Sequence, residues 1–132
     1  MIAYIKTAHF DESEFYCKCR KCKGKIAIPM QYRSNLKRLI DMLEIARTSA
    51  GIPFAINSGY RCKDHPESKK IPDSAHTTAE ACDISVDNSS DRFTVVDELL
   101  KAGFLRLGMD KTYIHCDVSR TLDQKVLWLY QT

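Results

Sequence analysis

Two stretches of strict alternation constrain this chain more than anything else in it. From residue 82 to 86, Cys82, Ile84 and Val86 fall on one side of an extended chain, and Asp83 and Ser85 on the other. From 112 to 118 the pattern repeats, with Ile114, Cys116 and Val118 on one side and Tyr113, His115 and Asp117 opposite. Paired in one antiparallel sheet, the two stretches turn their apolar faces to a core and gather Asp83, His115 and Asp117 in one cleft. His76, just ahead of the first stretch, reaches the same place. Two imidazoles and a carboxylate, His76, His115 and Asp83, leave one coordination position open. That is the ligand set of a catalytic zinc rather than a structural one.

The rest of the chain supplies elements to pack on such a sheet. Pro29, the stripe Leu36, Leu39, Ile40, Leu43 and Ala46, and Gly51 predict an amphipathic helix from Met30 to Ser49. A second helix is expected from Asp91 to Ala102, with Phe93, Val96, Leu99 and Leu100 on its inner face and Gly103 at its end. Pro53 to Asn57 reads as a strand with Phe54 and Ile56 inward, and Phe104 to Gly108 as another. Met109, Asp110 and Lys111 then make a hairpin into the second alternating stretch. Ile2 and Tyr4 suggest a short strand, Asp11 to Phe15 a turn, and residues 120–132 a closing helix or strand. Residues 62–75 lack an apolar period and hold two prolines, so they read as a loop beside the cleft. His65 within it is expected at the surface, since the ligand set is complete without it. The sum is an α+β fold, a small antiparallel sheet packed against helices, in one domain over residues 1–132 with a Cys-bearing segment at 15–25.

At 132 residues, 44% apolar and 28% charged, the chain is long enough for its own core and reads as globular rather than disordered. A net charge of +3, with acids and bases interspersed, is too mild for a dedicated nucleic-acid binder. No apolar run at the start resembles a signal peptide, and none approaches membrane-spanning length. The expectation is synthesis in a cytoplasm and no membrane insertion. Without an export signal, six cysteines are more often thiols or metal ligands than disulfides. Cys17, Cys19 and Cys22 form a basic C-x-C-x-x-C cluster that holds a zinc if a fourth ligand, such as Cys62, comes from elsewhere. The alternatives are a turn with reduced thiols or a local Cys17–Cys22 disulfide. Cys82 and Cys116 alternate away from the metal face and read as small buried hydrophobes.

Ser58-Gly59-Tyr60-Arg61, then Ser74-x-His76 with Asp83 seven residues on, then His115-x-Asp117, resemble the zinc D-Ala-D-Ala peptidase family, peptidase family M15. The likeness is nearest to phage-type and bacterial cell-wall peptidases and runs from about Phe15 to the region of Trp128. It implies a hedgehog/DD-peptidase-like fold, a Zn2+ cofactor, and hydrolysis of peptide bonds in peptidoglycan stem peptides, as D,D-carboxypeptidase or endopeptidase. By the same likeness the protein acts on the cell wall, after release in the manner of an endolysin or as a virion component. Arg61 takes the place of the family's arginine, which faces the developing oxyanion. Ser74 and Tyr113 are candidates for substrate contact, Ser74 also for capping a turn. Similar Cys-bearing segments precede the first helix in some of these proteins, which points to a structural use.

Two positions depart from the family pattern. The best-known branch has a glutamate three residues before the last histidine ligand, where this chain has Thr112. Asp117 is then either the general base or the group that holds an imidazole by its second nitrogen. Ala79 stands where the family has glycine, a substitution that strains the backbone only if φ is positive. The missing glutamate leaves a second functional class open, a non-catalytic wall-binding or virion module that keeps the fold.

Overall fold

The alternating stretches pair as their pattern requires. A computed structural model of the chain, describing residues 2–131, has five strands: β1 (Ile56–Ser58), β2 (Ala81–Ser85), β3 (Arg106–Met109), β4 (Tyr113–Asp117) and β5 (Val126–Leu129). They form one sheet in the order β1-β2-β4-β3-β5, antiparallel except that β5 runs parallel to β3. The helices are α1 (Arg33–Ala50), the single-turn α2 (Pro66–Lys70) and α3 (Ser89–Lys101). Three short 3-10 helices complete the set, at Glu12–Phe15, Met30–Tyr32 and Ala75–Thr78. The architecture is the expected α+β one. Among the described residues no helix is long and apolar enough to cross a membrane.

One core joins the parts. Leu36, Leu39, Ile40, Leu43 and Ala46 of α1 are buried with Cys82 and Ile84 of β2, Ile114 and Cys116 of β4, Leu107 of β3, and Val95 and Leu99 of α3. Each large apolar side chain removed from water there contributes about 1.5–3 kcal/mol. Gly51, at φ 70, ends α1 in the left-handed conformation that glycine adopts without steric cost.

Several local expectations are corrected. Residues 2–4 carry no strand; the N-terminal segment makes only an isolated bridge between Lys6 and Asp11. Asp11 to Phe15 is a 3-10 helix closed by a capping box between Asp11 and Glu14, not a simple turn. The loop at 62–75 contains α2, whose N-cap is His65: its Nδ1 accepts from the Glu67 amide at 3.0 Å. The inner face of α3 is Val95 and Leu99, while Phe93 is 73% exposed and Leu100 54%. Two apolar stripes with helical spacing exist on α3, and at about 100° per residue Phe93 points almost opposite to Val95. Packing against α1 and β4 selects Val95 and Leu99, with Val96 partly buried beside them. The tail resolves to a strand, with Leu127 and Leu129 outward and Trp128 inward.

The N-terminal segment is held by a buried ion pair. Glu12, 1% exposed, accepts from Arg33 Nη1 and Nη2 at 3.0 and 2.6 Å, from Tyr16 Oη at 2.6 Å and from the Ile5 amide at 2.8 Å. Removing one member of such a pair strands the other, so Glu12→Ala is expected to lower unfolding free energy by about 3–5 kcal/mol in a denaturant titration. Burial pushes the Glu12 carboxyl up, but the bonds from Arg33, Tyr16 and Ile5 outweigh it and leave it below its ordinary value of 4.5. A depressed carboxyl stabilises fully above its unfolded value. Its contribution is therefore complete above about pH 4.5 and is lost as pH falls through the depressed value, a loss absent from the Glu12→Ala protein.

Candidate metal centre

The three predicted donors come from two pieces of structure. Asp83 and His115 are direct partners across the β2–β4 pair, with Ile84 opposite Ile114 and Cys82 opposite Cys116. Pleating turns the apolar pairs into the core, and both cysteines are fully buried with their Sγ atoms 3.6 Å apart. His76 arrives on the 3-10 helix Ala75–Thr78. Ser74 caps that helix by accepting from the His76 amide at 3.3 Å, the turn-capping role anticipated for it. The helix ends at Ala79, which sits at φ 60, so the methyl group in place of glycine does occupy a left-handed position. From α1, Asn35 Nδ2 donates to Thr78 O at 3.0 Å, and Arg38 Nη2 donates to Glu80 Oε2 at 3.1 Å and Val118 O at 2.9 Å. The long helix thus anchors both approaches to the centre.

His76 Nε2, His115 Nδ1 and Asp83 Oδ1 form a nearly equilateral triangle with edges of 3.2, 3.2 and 3.3 Å. A tetrahedral zinc with bonds of about 2.0–2.1 Å needs ligand atoms about 3.3 Å apart. The outer nitrogens fix what faces inward. His76 Nδ1 lies 2.7 Å from the Gly59 carbonyl, which only accepts, so the ring proton is there and Nε2 presents a lone pair. His115 Nε2 lies 2.7 Å from Asp117 Oδ2, which likewise draws the proton away from Nδ1. One proton can bridge a single edge of the triangle; a cation satisfies all three donors. The donor set fits a divalent metal ion.

Electrostatics agree. Burial pushes Asp83 up, but its imidazole neighbours His115 and His76 outweigh it and hold its carboxyl well below the usual range. Burial pushes His76 down, keeping it a neutral donor. Burial opposes charge on His115 too, but its bonds to Asp117 and Asp83 push it up, so proton and metal compete for Nδ1.

Around the triangle, Arg61 Nη2 donates to Asp83 Oδ2 at 3.3 Å, and its Nε is buried with no protein partner. Asp117 lies behind His115. Its other oxygen accepts from Arg106 Nε at 2.8 Å and from the Ser119 amide at 3.1 Å, and its side chain is fully enclosed. Of the two roles open to Asp117, these contacts describe the one that orients His115. Thr112 lies outside this network, its hydroxyl donating to Asp110 Oδ2 at 3.2 Å in the hairpin.

Sequence reading overlooked an aromatic wall. Trp128 packs against His115 with ring centroids 5.3 Å apart and lies 5.0 Å from the Arg106 guanidinium, while Tyr130 stands beside Tyr113 at 5.6 Å. Gly108, the β3 partner of His115, makes room: a Cβ there would lie 2.5 Å from Trp128 Nε1. The shared parity of Val126, Trp128 and Tyr130 was the available signal. Gly59 likewise has no space for a side chain, since a Cβ would lie 2.7 Å from the Phe15 backbone.

The cysteine cluster also assembles. Cys17, Cys19, Cys22 and Cys62 bring their Sγ atoms within 4.8 Å of one another, and all six cysteines are free thiols, so the Cys17–Cys22 disulfide is not formed. A groove of about 620 Å³ runs beside this cluster; its lining includes Lys21, Tyr32, Tyr60, Cys62, Lys63 and Thr77, but none of the three donors.

Compared with known protein families, residues 8–117 match the family described as Peptidase M15. No curated protein and no solved structure gives a significant match.

Proposed function

The chain belongs to the peptidase M15 family, and from that premise we propose that it is a zinc peptidase hydrolysing peptide bonds in the stem peptides of bacterial peptidoglycan. The observation that carries the reading is the donor triangle, with an oxygen acceptor 2.7 Å from the outer nitrogen of each imidazole. His76, Asp83 and His115 would hold the ion. When bound there, zinc supplies Lewis-acid activation of water and of the scissile carbonyl at neutral pH.

The remaining tasks fall to the chain's own side chains. Arg61, whose partly exposed guanidinium lies beside Asp83, offers a positive hydrogen-bonding group to the carbonyl oxygen as charge builds on it. Asp117 is a positioning residue: it fixes the tautomer and ring angle of His115, and is itself fixed by Arg106. Trp128, Tyr113 and Tyr130 wall the approach with flat surfaces suited to small apolar side chains. The groove passes Tyr60 and Cys62, the neighbours of Arg61, and Thr77, the neighbour of His76. Along it Lys21 is paired with Asp64 at 3.0 Å, and Lys63 favours a peptide bearing carboxylates, such as a wall stem peptide.

Incubation with purified peptidoglycan tests this reading. Soluble peptide fragments should appear with the metal-loaded protein and disappear with a chelator. A protein that sediments with the wall and releases nothing when fully loaded with zinc would instead be a binding module, the reading that Thr112 in place of glutamate favours. Asp117→Asn separates positioning from proton transfer: metal affinity is expected to fall about 10- to 100-fold. Raising zinc should restore most of the activity, whereas a lost base is not replaced by more metal.

A further inference from the structure

We propose that Cys17, Cys19, Cys22 and Cys62 hold a structural zinc ion, separate from the catalytic centre, that staples the N-terminal segment to the strand exit carrying Arg61. The geometry is that of a closed tetrathiolate. Cys62 Sγ lies 3.6 Å from Cys19 Sγ and 3.7 Å from Cys22 Sγ, and all four sulfurs are within 4.8 Å of each other. Tetrahedral zinc with bonds of about 2.3 Å to sulfur sets its ligands about 3.8 Å apart. The Cys62 amide donates to Cys17 Sγ at 3.4 Å, the kind of outer bond that orients a thiolate ligand.

The segment has little else to order it. Its sulfurs pack apart from the main core, with only Tyr60 and Cys62 against them. Lys23 at φ 54 and Gly24 at φ 73 are consecutive left-handed residues, closed by Lys23 N to Cys19 O and Gly24 N to Cys17 O, both at 2.8 Å. A tight turn with a non-glycine residue at positive φ and almost no apolar burial needs an outside source of stability, which metal binding supplies. Charge points the same way. Four thiolates around Zn2+ leave two negative charges, and Lys18, Arg20, Lys21, Lys23 and Lys25 lie between and beside the cysteines in the chain, with Lys21 paired to an acid, Asp64, at 3.0 Å.

The staple reaches the centre through the backbone. Tyr60 N donates to Phe15 O at 2.8 Å and Cys62 N to Cys17 Sγ at 3.4 Å, so the N-terminal segment holds the chain on both sides of Arg61, whose own N donates to His76 O at 3.0 Å. An ion at the four cysteines fixes where the guanidinium starts.

Metal content decides the matter without reference to catalysis, so the proposal survives or fails apart from the peptidase reading. Wild-type protein purified without chelator is expected to carry two zinc ions per chain, His76→Ala one, Cys19→Ser one and the double variant none. Because Cys19→Ser risks misfolding, the wild type is also titrated with an organomercurial, which should release one zinc per chain as the four thiolates are capped. Cobalt-loaded His76→Ala protein should show intense sulfur-to-metal charge-transfer absorption in the near ultraviolet. The proposal is overturned if wild type holds a single zinc that His76→Ala abolishes, if alkylation without reduction reveals a disulfide among the four, or if the metal they hold is iron.

Discussion

His76→Ala is expected to reduce turnover of peptidoglycan peptides at least about a thousandfold while leaving the fold in place. Losing one of three donors removes the closed triangle of lone pairs that makes the centre selective for a cation. Several kcal/mol of transition-state stabilisation go with it, and each 1.36 kcal/mol is tenfold in rate. The side chain is buried and its Nδ1 bond to Gly59 is lost, so some stability is lost as well, about 1–3 kcal/mol for the unpaired carbonyl. Thermal unfolding and metal content measured on the same preparation separate the two effects. A variant that still unfolds cooperatively, has lost one equivalent of zinc and is inactive matches expectation. Full activity in such a protein would remove the triangle from the reaction.

Arg61→Ala carries the second large effect, about 10²–10³ in kcat, the range found for removal of one preorganised oxyanion donor. Two features make it informative. The guanidinium donates to Asp83 through Nη2 alone, so its loss leaves the carboxylate with two imidazole neighbours and metal retention should persist. Its side chain is also 19% exposed beside a buried carboxylate, so part of the guanidinium is open to substrate. Kinetics on a soluble stem-peptide analogue should show the loss in kcat, with KM changed far less. Arg61→Lys should recover only part of it, since an ammonium cannot present the same planar fork. A loss confined to KM would recast Arg61 as a residue that binds substrate uniformly.

How much of this was legible in the sequence follows the periodicity of each element. Strand alternation has a period of two and no slack, so once β2 and β4 pair, Asp83 and His115 must share a face and Cys82 and Cys116 must leave it. The helix α1 was equally plain because its stripe, its proline and its closing glycine agree. The face of α3 was not. Phe93, Val96, Leu99 and Leu100 make as good a stripe as the buried one, and only tertiary packing distinguishes them. The strand expected at Ile2 and Tyr4 failed for lack of a neighbour, since two alternating residues define no sheet. The tail at 120–132 shows only a closing helix or strand, because nothing local reveals that β5 runs beside β3 and brings the Trp128 ring to His115. Cys62 as a fourth member of the cluster and Asp117 as a holder of an imidazole were both open in the sequence; what it did not show is Arg106 reaching across from β3 to fix Asp117.

The direct opposition of Asp83 and His115 also bears on how the protein reaches its folded state. Sliding β2 past β4 by a single residue would send Asp83 into the oily interior and bring Cys82 or Ile84 beside His115 in its place. An ion able to bind only the correct alignment therefore rewards that alignment and no other. Refolding with zinc present should give a higher yield of properly aligned sheet than refolding in a metal-free buffer, even though the metal touches neither the core nor the turns.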